Sequence, residues 1–212
     1  MRSPVRLWLT APEKSLRLFS RTFSHTIPGG YFLILYHGSS IGCLSELKPS
    51  LSEHGKSYIY FSTNPIVSLL YAVKPVPKPF SFYPYGFDSK GTVVYSEYFE
   101  DCFRRLYQNK IGYLYECNDV IDTEQPTNIY CAYTCSHPVK VDRVTKINDL
   151  YEYFLQQREC GLFKIKEFKD ISEKEMLFVL NDMKDTVDRY DLRNQPCNPM
   201  HLFIKDHFPS LL

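Results

Sequence analysis

Short apolar segments that end at turns constrain the fold of this chain more than any other feature. Residues 31–36 form an apolar run after a Pro-Gly-Gly turn, and this pattern predicts a buried strand that delivers His37 at its carboxyl end. Residues 58–61 predict a second short strand of the same kind. Such segments are too short for buried helices, so we expect a sheet whose strand ends carry the polar side chains.

The residues after the second strand predict a helix. Thr63 or Asn64 is placed to cap its first turn, and Pro65 fits the first helical position, where no backbone N–H is needed. The helix would carry Ser68 and Tyr71. A strand ending in a histidine is therefore followed by a strand and helix that carry hydroxyl and aromatic side chains.

Later segments predict a mixture of strands and helices. The Ser172-x2-Glu175 pattern forms a capping box and starts a long helix with regular apolar spacing. Four prolines between residues 74 and 84 predict an ordered loop instead of a regular element. The other predicted elements are an extended segment at 91–99, strands at 113–117, 129–134 and 139–144, and helices at 98–107 and 149–157.

Charge and cysteine usage exclude several classes of protein. With 25 Lys and Arg against 24 Asp and Glu, the chain carries no general electrostatic attraction for nucleic acid, although a local basic face stays open. No apolar run reaches the roughly 18 residues that span a bilayer, so we expect no membrane association and a cytoplasmic location. The seven cysteines lack Cys-x2-Cys spacing, which favours reduced thiols over a zinc site, and we expect no metal.

The basic segment 1–30 has two interpretations. It contains five Arg and Lys residues and one Glu, a composition that organelle transit peptides share. We favour a basic amphipathic helix over residues 13–23 that packs on the domain or on a partner.

Three residues at the end of the first strand suggest a binding site. A lone histidine after a strand is more often a packed or capping residue than a catalyst, but His37 is followed by Gly38 and Ser39. A glycine lets a ligand approach the backbone, and a serine hydroxyl can bond to it. Tyr60 and Tyr71 have an equally ordinary interpretation as core aromatics in a chain with 17 tyrosines.

Taken together, these residues carry a resemblance to a known family. Tyr36-His37-Gly38-Ser39, followed by Tyr60-Phe61-x6-Ser68-x2-Tyr71, resembles the NAD site of the ADP-ribosyltransferases related to diphtheria toxin and the poly(ADP-ribose) polymerases. The recognisable motifs cover less than a fifth of the chain, from about residue 35 to residue 72.

The resemblance implies a role for each motif residue. His37 would bond the adenosine ribose, Gly38 would hold the nicotinamide amide through its backbone, and Tyr60 and Tyr71 would bracket the nicotinamide ring. Stacking suits a flat cationic ring. Ser68 would face the same amide, and the remaining implied NAD-binding residues are Ser39, Phe61 and Ser62.

The family's third motif residue, a glutamate, is missing. The strand that resembles its position reads Ala132-Tyr133-Thr134-Cys135, so Ala132 stands where the catalytic Glu is expected. We favour an engineered inactivating change as the explanation. The alternatives are a natural pseudoenzyme, or a misalignment in which the acid is one of three other residues: Glu116 as the next best acid, Glu97 or Glu124.

The resemblance implies an α+β ADP-ribosyltransferase fold, with two packed antiparallel sheets forming an NAD cleft and with flanking helices. We expect a basic N-terminal segment at 1–30, the core at 31–147 and a C-terminal helical extension at 148–212. The implied activity cleaves the nicotinamide-ribose bond of NAD and transfers ADP-ribose to a macromolecule, protein or nucleic acid, with acceptor contacts expected at residues 74–90.

The implied biological role is a toxin of a bacterial toxin-antitoxin or phage-defence system, with a neutralising antitoxin as a partner. Two other functions stay open. One is a catalytically silent module that binds NAD or ADP-ribose. The other is an RNA 2′-phosphotransferase, which shares the fold and NAD but relies on further Arg and His residues that we cannot place in this chain.

Overall fold

The computed structural model describes residues 33–51, 56–73, 84–126 and 130–212. The predicted N-terminal helix at 13–23 lies outside these residues, as does most of the proline-rich loop at 74–84. The described chain is a mixed α+β protein, so the predicted class is confirmed at that level. No helix among the described residues is long and apolar enough to cross a membrane.

Eleven strands and five α-helices make up the described chain. The strands are β1 (Ile34–Ser39), β2 (Glu46–Leu47), β3 (Ser50–Leu51), β4 (Ser57–Ser62), β5 (Tyr85–Phe87), β6 (Val93–Ser96), β7 (Gly112–Asn118), β8 (Ala132–Cys135), β9 (Val139–Lys140), β10 (Arg143–Ile147) and β11 (Phe163–Lys166). The helices are α1 (Pro65–Leu70), α2 (Cys102–Tyr107), α3 (Leu150–Glu159), α4 (Glu173–Arg189) and α5 (Pro199–His207).

Contacts divide the chain into two compact units, each built from two stretches of sequence. The first takes Met1–Lys74 and Tyr107–Phe154, and the second takes Pro75–Leu106 and Leu155–Leu212. Residues 75–106, which we assigned to the core at 31–147, thus group with the C-terminal residues. The domain boundaries predicted from the sequence stay predictions.

The first unit contains an antiparallel sheet of six strands in the order β10-β7-β1-β4-β3, with β8 also paired to β4. One face of this sheet carries a hydrophobic core cluster. It carries Leu35, Phe61 and Tyr115, which are nearly inaccessible to solvent. Because side chains alternate along a strand, the intervening residues of β1, β4 and β8 lie on the opposite face.

One predicted strand is divided in the structure. Residues 139–144 form β9, which pairs with β2, and the start of β10, which pairs with β7. Because the two halves pair with different strands, β2 and β7, the segment does not continue as one straight strand. The first strand also differs from its prediction, because β1 continues through His37 to Ser39.

The second unit has a three-stranded sheet in the order β11-β6-β5. The β6–β11 pair is parallel, which departs from the predicted antiparallel sheets, and β11 also shows that residues 148–212 are not helical throughout. A long connection separates these strands in sequence, as parallel pairing requires.

The predicted capping box of α4 is confirmed, since the Ser172 hydroxyl accepts from Glu175 N–H and the Glu175 carboxylate accepts from Ser172 N–H.

A buried carboxylate joins three parts of the second unit. Glu97 is 8% exposed, and its two oxygens accept hydrogen bonds from the backbone N–H groups of Phe103 (2.9 Å) and Phe168 (3.2 Å). A buried amide that loses its partner costs about 1–3 kcal/mol. Glu97 is therefore committed to holding α2 and the turn at Phe168–Asp170, which is a structural role.

Replacing this carboxylate should destabilise the protein. We expect Glu97→Ala to lower the free energy of unfolding by roughly 3 kcal/mol, because two backbone N–H groups lose their acceptor. Urea denaturation followed by circular dichroism measures the change. Glu100→Ala, at an exposed position on the same segment, should shift the midpoint by little. Equal midpoints for the two variants would contradict the role assigned to Glu97.

Candidate functional site

The candidate site is built where β1 meets β4. Tyr36 pairs with Ser62 across these strands, and one residue further along β1 the imidazole Nδ1 of His37 lies 2.8 Å from the carbonyl oxygen of Tyr60. A carbonyl oxygen only accepts, so Nδ1 carries the proton in this bond. The backbone of one motif strand therefore fixes the ring orientation of the histidine on the other.

His37 and Tyr60 lie on different sides of the sheet. His37 pairs with Tyr115, and its ring centroid lies 6.2 Å from that of Phe61 and 6.4 Å from that of Tyr115. Tyr60 alternates with Phe61 and so lies on the opposite face. The motif residues thus surround the β1–β4 junction instead of sharing one face.

Gly38 is required by the helix that packs on β1. A Cβ atom at this position would lie 1.9 Å from the carbonyl oxygen of Ser68 and 2.6 Å from its carbonyl carbon. No side chain fits at these distances. We predicted a glycine that opens the backbone to a ligand, whereas the close approach that requires it here is made by the backbone of α1.

Helix α1 is held against β1 and β4 by polar contacts. Its N-cap is Asn64, as one of the two predictions had it, and the Asn64 side chain accepts from Ile66 N–H at 2.9 Å. The buried Ser68 hydroxyl donates to the Tyr36 carbonyl at 2.9 Å. Tyr71 is the C-cap residue and is half-buried. These contacts place Ser68 beside the motif strand, and Tyr71 ends the helix.

Two of the other predicted NAD-binding side chains are used in packing and hydrogen bonding within the protein. Phe61 is 3% exposed within the core, and the buried Ser62 hydroxyl accepts from Asn64 N–H at 2.9 Å. The Ser39 hydroxyl accepts from Ile41 N–H at 3.1 Å. Phe61 and Ser62 therefore have little surface to offer a ligand, and Ser39 shapes the turn after β1.

Ala132 lies at this site. It pairs with Ser62, and Thr134 pairs with Tyr60, so these four side chains share the face of the sheet opposite the core. Thr63 N–H also donates to the carbonyl of Cys131 at 2.9 Å, which continues the β4–β8 pairing. Position 132 thus lies directly across from β4, the strand that carries Tyr60.

The three alternative acids have very different positions. Glu116 pairs with Tyr36 and with Arg143, whose guanidinium is 3.7 Å from its carboxylate. Three strand spacings, about 14 Å, separate it from position 132. Glu97 binds backbone amides as described above. Glu124, the last of the alternatives, forms a β-bridge with Thr134 beside β8.

Tyr115 is a residue of this region that the sequence did not single out. It is fully buried, yet its hydroxyl donates to the Ile41 carbonyl at 2.7 Å and accepts from Leu44 N–H at 3.3 Å. Burial raises the pKa of its phenol. Tyr115 thus ties the turn that follows the histidine strand to β7, a long-range contact that leaves no local sequence signal.

Comparison with known proteins finds no family model, curated protein or solved structure that matches this chain. Any functional interpretation therefore depends on the motifs and on the geometry just described. Among the described residues, no group of three or more His, Cys, Asp and Glu side chains is placed to hold a metal ion.

The contact at Gly38 gives a direct test of the site's construction. We expect Gly38→Ala to lower the free energy of unfolding by about 3 kcal/mol, because the added methyl must displace the backbone of α1. Chemical denaturation measures this, with Ser40→Ala at a neighbouring exposed position as the control. An unchanged midpoint for the glycine variant would mean that α1 does not pack this closely on β1.

Proposed function

We propose that this chain is an NAD-dependent ADP-ribosyltransferase with the corresponding fold. The observation that carries the proposal is the convergence of the motif residues on the β1–β4 junction. His37 is bonded to the Tyr60 strand, α1 brings Ser68 onto the backbone of Tyr36, and position 132 lies across from Ser62. Residues distant in sequence thus meet at one junction, as a shared site requires.

The two sides of the junction suit the two halves of a dinucleotide. His37, whose ring is oriented by its bond to the Tyr60 carbonyl, is placed for the adenosine ribose. Tyr60 lies on the other face and is 47% exposed, which leaves a flat aromatic surface for the cationic nicotinamide ring. β1 and β4 are in register at Tyr36 and Ser62, so we propose that NAD binds at the end of β1 beyond this pair, with His37 towards the adenosine and Tyr60 towards the nicotinamide.

Ser68 has a defined part in this proposal. Its hydroxyl proton is used in the bond to the Tyr36 carbonyl, so the oxygen is left to accept. The nicotinamide carboxamide offers an NH2 group that can donate to it. We propose that Ser68 orients the amide as an acceptor; the residue is 5% exposed, so this contact requires the amide to pack directly against α1.

The proposed reaction transfers ADP-ribose to a macromolecule. The bond between nicotinamide nitrogen and ribose C1′ breaks, its electron pair leaves with nicotinamide, and a nucleophile of the acceptor bonds to C1′ and loses a proton. The acceptor is a protein or a nucleic acid. A toxin of a bacterial defence or toxin-antitoxin system remains the biological role that we propose, with an antitoxin as the partner.

A silent module that binds NAD or ADP-ribose is the second candidate. Ala132 favours it, because an alanine cannot supply the negative charge that stabilises an oxocarbenium-like transition state. The two functions share the proposed NAD site and differ in turnover, so binding and turnover must be measured separately.

NAD binding tests the proposed site itself. We expect Tyr60→Ala to raise the Kd for NAD at least about tenfold, since one stacking partner of the nicotinamide is lost. Isothermal titration calorimetry measures this. Tyr190→Ala is the matched control, because Tyr190 is 53% exposed and belongs to the other unit. Equal affinities for both variants, or no NAD binding by the unaltered chain, would reject the proposed NAD site.

Turnover separates the two candidate functions. We expect transfer of label from adenylate-labelled NAD to protein or to nucleic acid in a cell extract, by this chain or by Ala132→Glu, together with release of nicotinamide. The labelled fraction identifies the class of acceptor. NAD binding without turnover by either form would establish the silent module instead.

A further inference from the structure

The proposed site lacks a carboxylate at position 132, and the structure places another one next to it. This inference rests on the proposed function, since it concerns the charge that the proposed reaction needs. A fixed negative group beside the ribose stabilises the positive charge that develops at C1′ as nicotinamide leaves. The question is which acid of this chain can lie there.

Glu124 is held beside β8 by its backbone. Its N–H donates to the Thr134 carbonyl at 2.9 Å, and Thr134 N–H donates to the Glu124 carbonyl at 2.8 Å. Two residues that exchange both bonds are directly opposed and project their side chains to the same side. The Thr134 hydroxyl adds a third contact with the Glu124 carbonyl, at 3.4 Å.

The strand register places the Glu124 side chain on the same face of the sheet as the proposed nicotinamide site. Thr134 pairs with Tyr60, so Glu124, Thr134 and Tyr60 form one row across the β-bridge, β8 and β4. Ser62 and Ala132 form the next row on the same face. Residues on this diagonal lie about 7–8 Å apart, within reach of a long side chain.

The other acids are less suited to this position. Glu116 is three strands from Ala132 and is paired with Arg143. Glu97 has both carboxylate oxygens bonded to backbone amides. Glu124 is solvent-exposed, so its carboxylate can turn towards a ligand without breaking the core. Position and accessibility therefore both favour Glu124.

We propose that Glu124 supplies the catalytic carboxylate in place of the residue at position 132. Its oxygens contact the nicotinamide ribose and stabilise the charge at C1′ while the C1′–nicotinamide bond breaks. The bonding electron pair leaves with neutral nicotinamide, the acceptor nucleophile forms the new bond to C1′, and its proton passes to Glu124 or to solvent. No oxidant, reductant or metal enters this balance.

Steady-state nicotinamide release tests the proposal. We expect Glu124→Gln to lower kcat about 100-fold or more, the scale of one lost electrostatic group in a transition state, and to change the Kd for NAD less than threefold. Asp122→Asn removes a neighbouring exposed carboxylate and should keep the activity of the unaltered chain. Ala132→Glu added to Glu124→Gln should restore turnover, because the carboxylate returns to the same face.

Three other results would contradict the assignment of Glu124, and each has a different meaning. Full activity of Glu124→Gln, or a loss only in Glu116→Gln, moves the carboxylate elsewhere. An inactive unaltered chain beside an active Ala132→Glu variant removes Glu124 from catalysis but leaves the transferase intact. Absence of turnover from both the unaltered chain and Ala132→Glu rejects the transferase itself.

Discussion

The close packing of α1 on Gly38 is the constraint on which the rest of the first unit depends. The carbonyl of Ser68 occupies the volume that any larger residue would need, and the Ser68 hydroxyl bonds to the neighbouring Tyr36 carbonyl. The helix therefore sits at a fixed height above β1. Because α1 follows β4 almost directly, this contact also sets where β4 runs and where Tyr60 is presented.

Local signals in the sequence were sufficient for several elements. The N-cap at Asn64, the capping box at Ser172 and the apolar runs of β4 and β7 are confirmed because each depends on residues near one another in the chain. Short strands such as β2, β3 and β5 were missed, as was β11. Pairing with other strands defines such short strands, and the hydrophobic periodicity within a few residues does not show which strand the partner is.

The candidate site shows the same division between local and non-local information. The motif predicted that His37, Tyr60 and Ser68 lie close together, because it places them on β1, on β4 and on the helix that follows β4. The opposition of Glu124 to Thr134, and the distance of Glu116 from Ala132, follow from strand register, which the sequence does not show. Strand register therefore places Glu124 closer than Glu116 to position 132.

The order in which β1 finds its partners has a consequence for synthesis on the ribosome. All six residues of β1 pair with β7, yet β7 begins only at Gly112, and β8 follows at Ala132. A nascent chain that has emerged as far as α2 holds β1 and β4 without the strand that covers the other edge of β1. Until β7 emerges, that edge of β1 and the apolar side chain of Leu35 remain exposed, and incorrect strand pairing is possible. The first unit therefore completes its folding late, when contacts between residues distant in sequence can form.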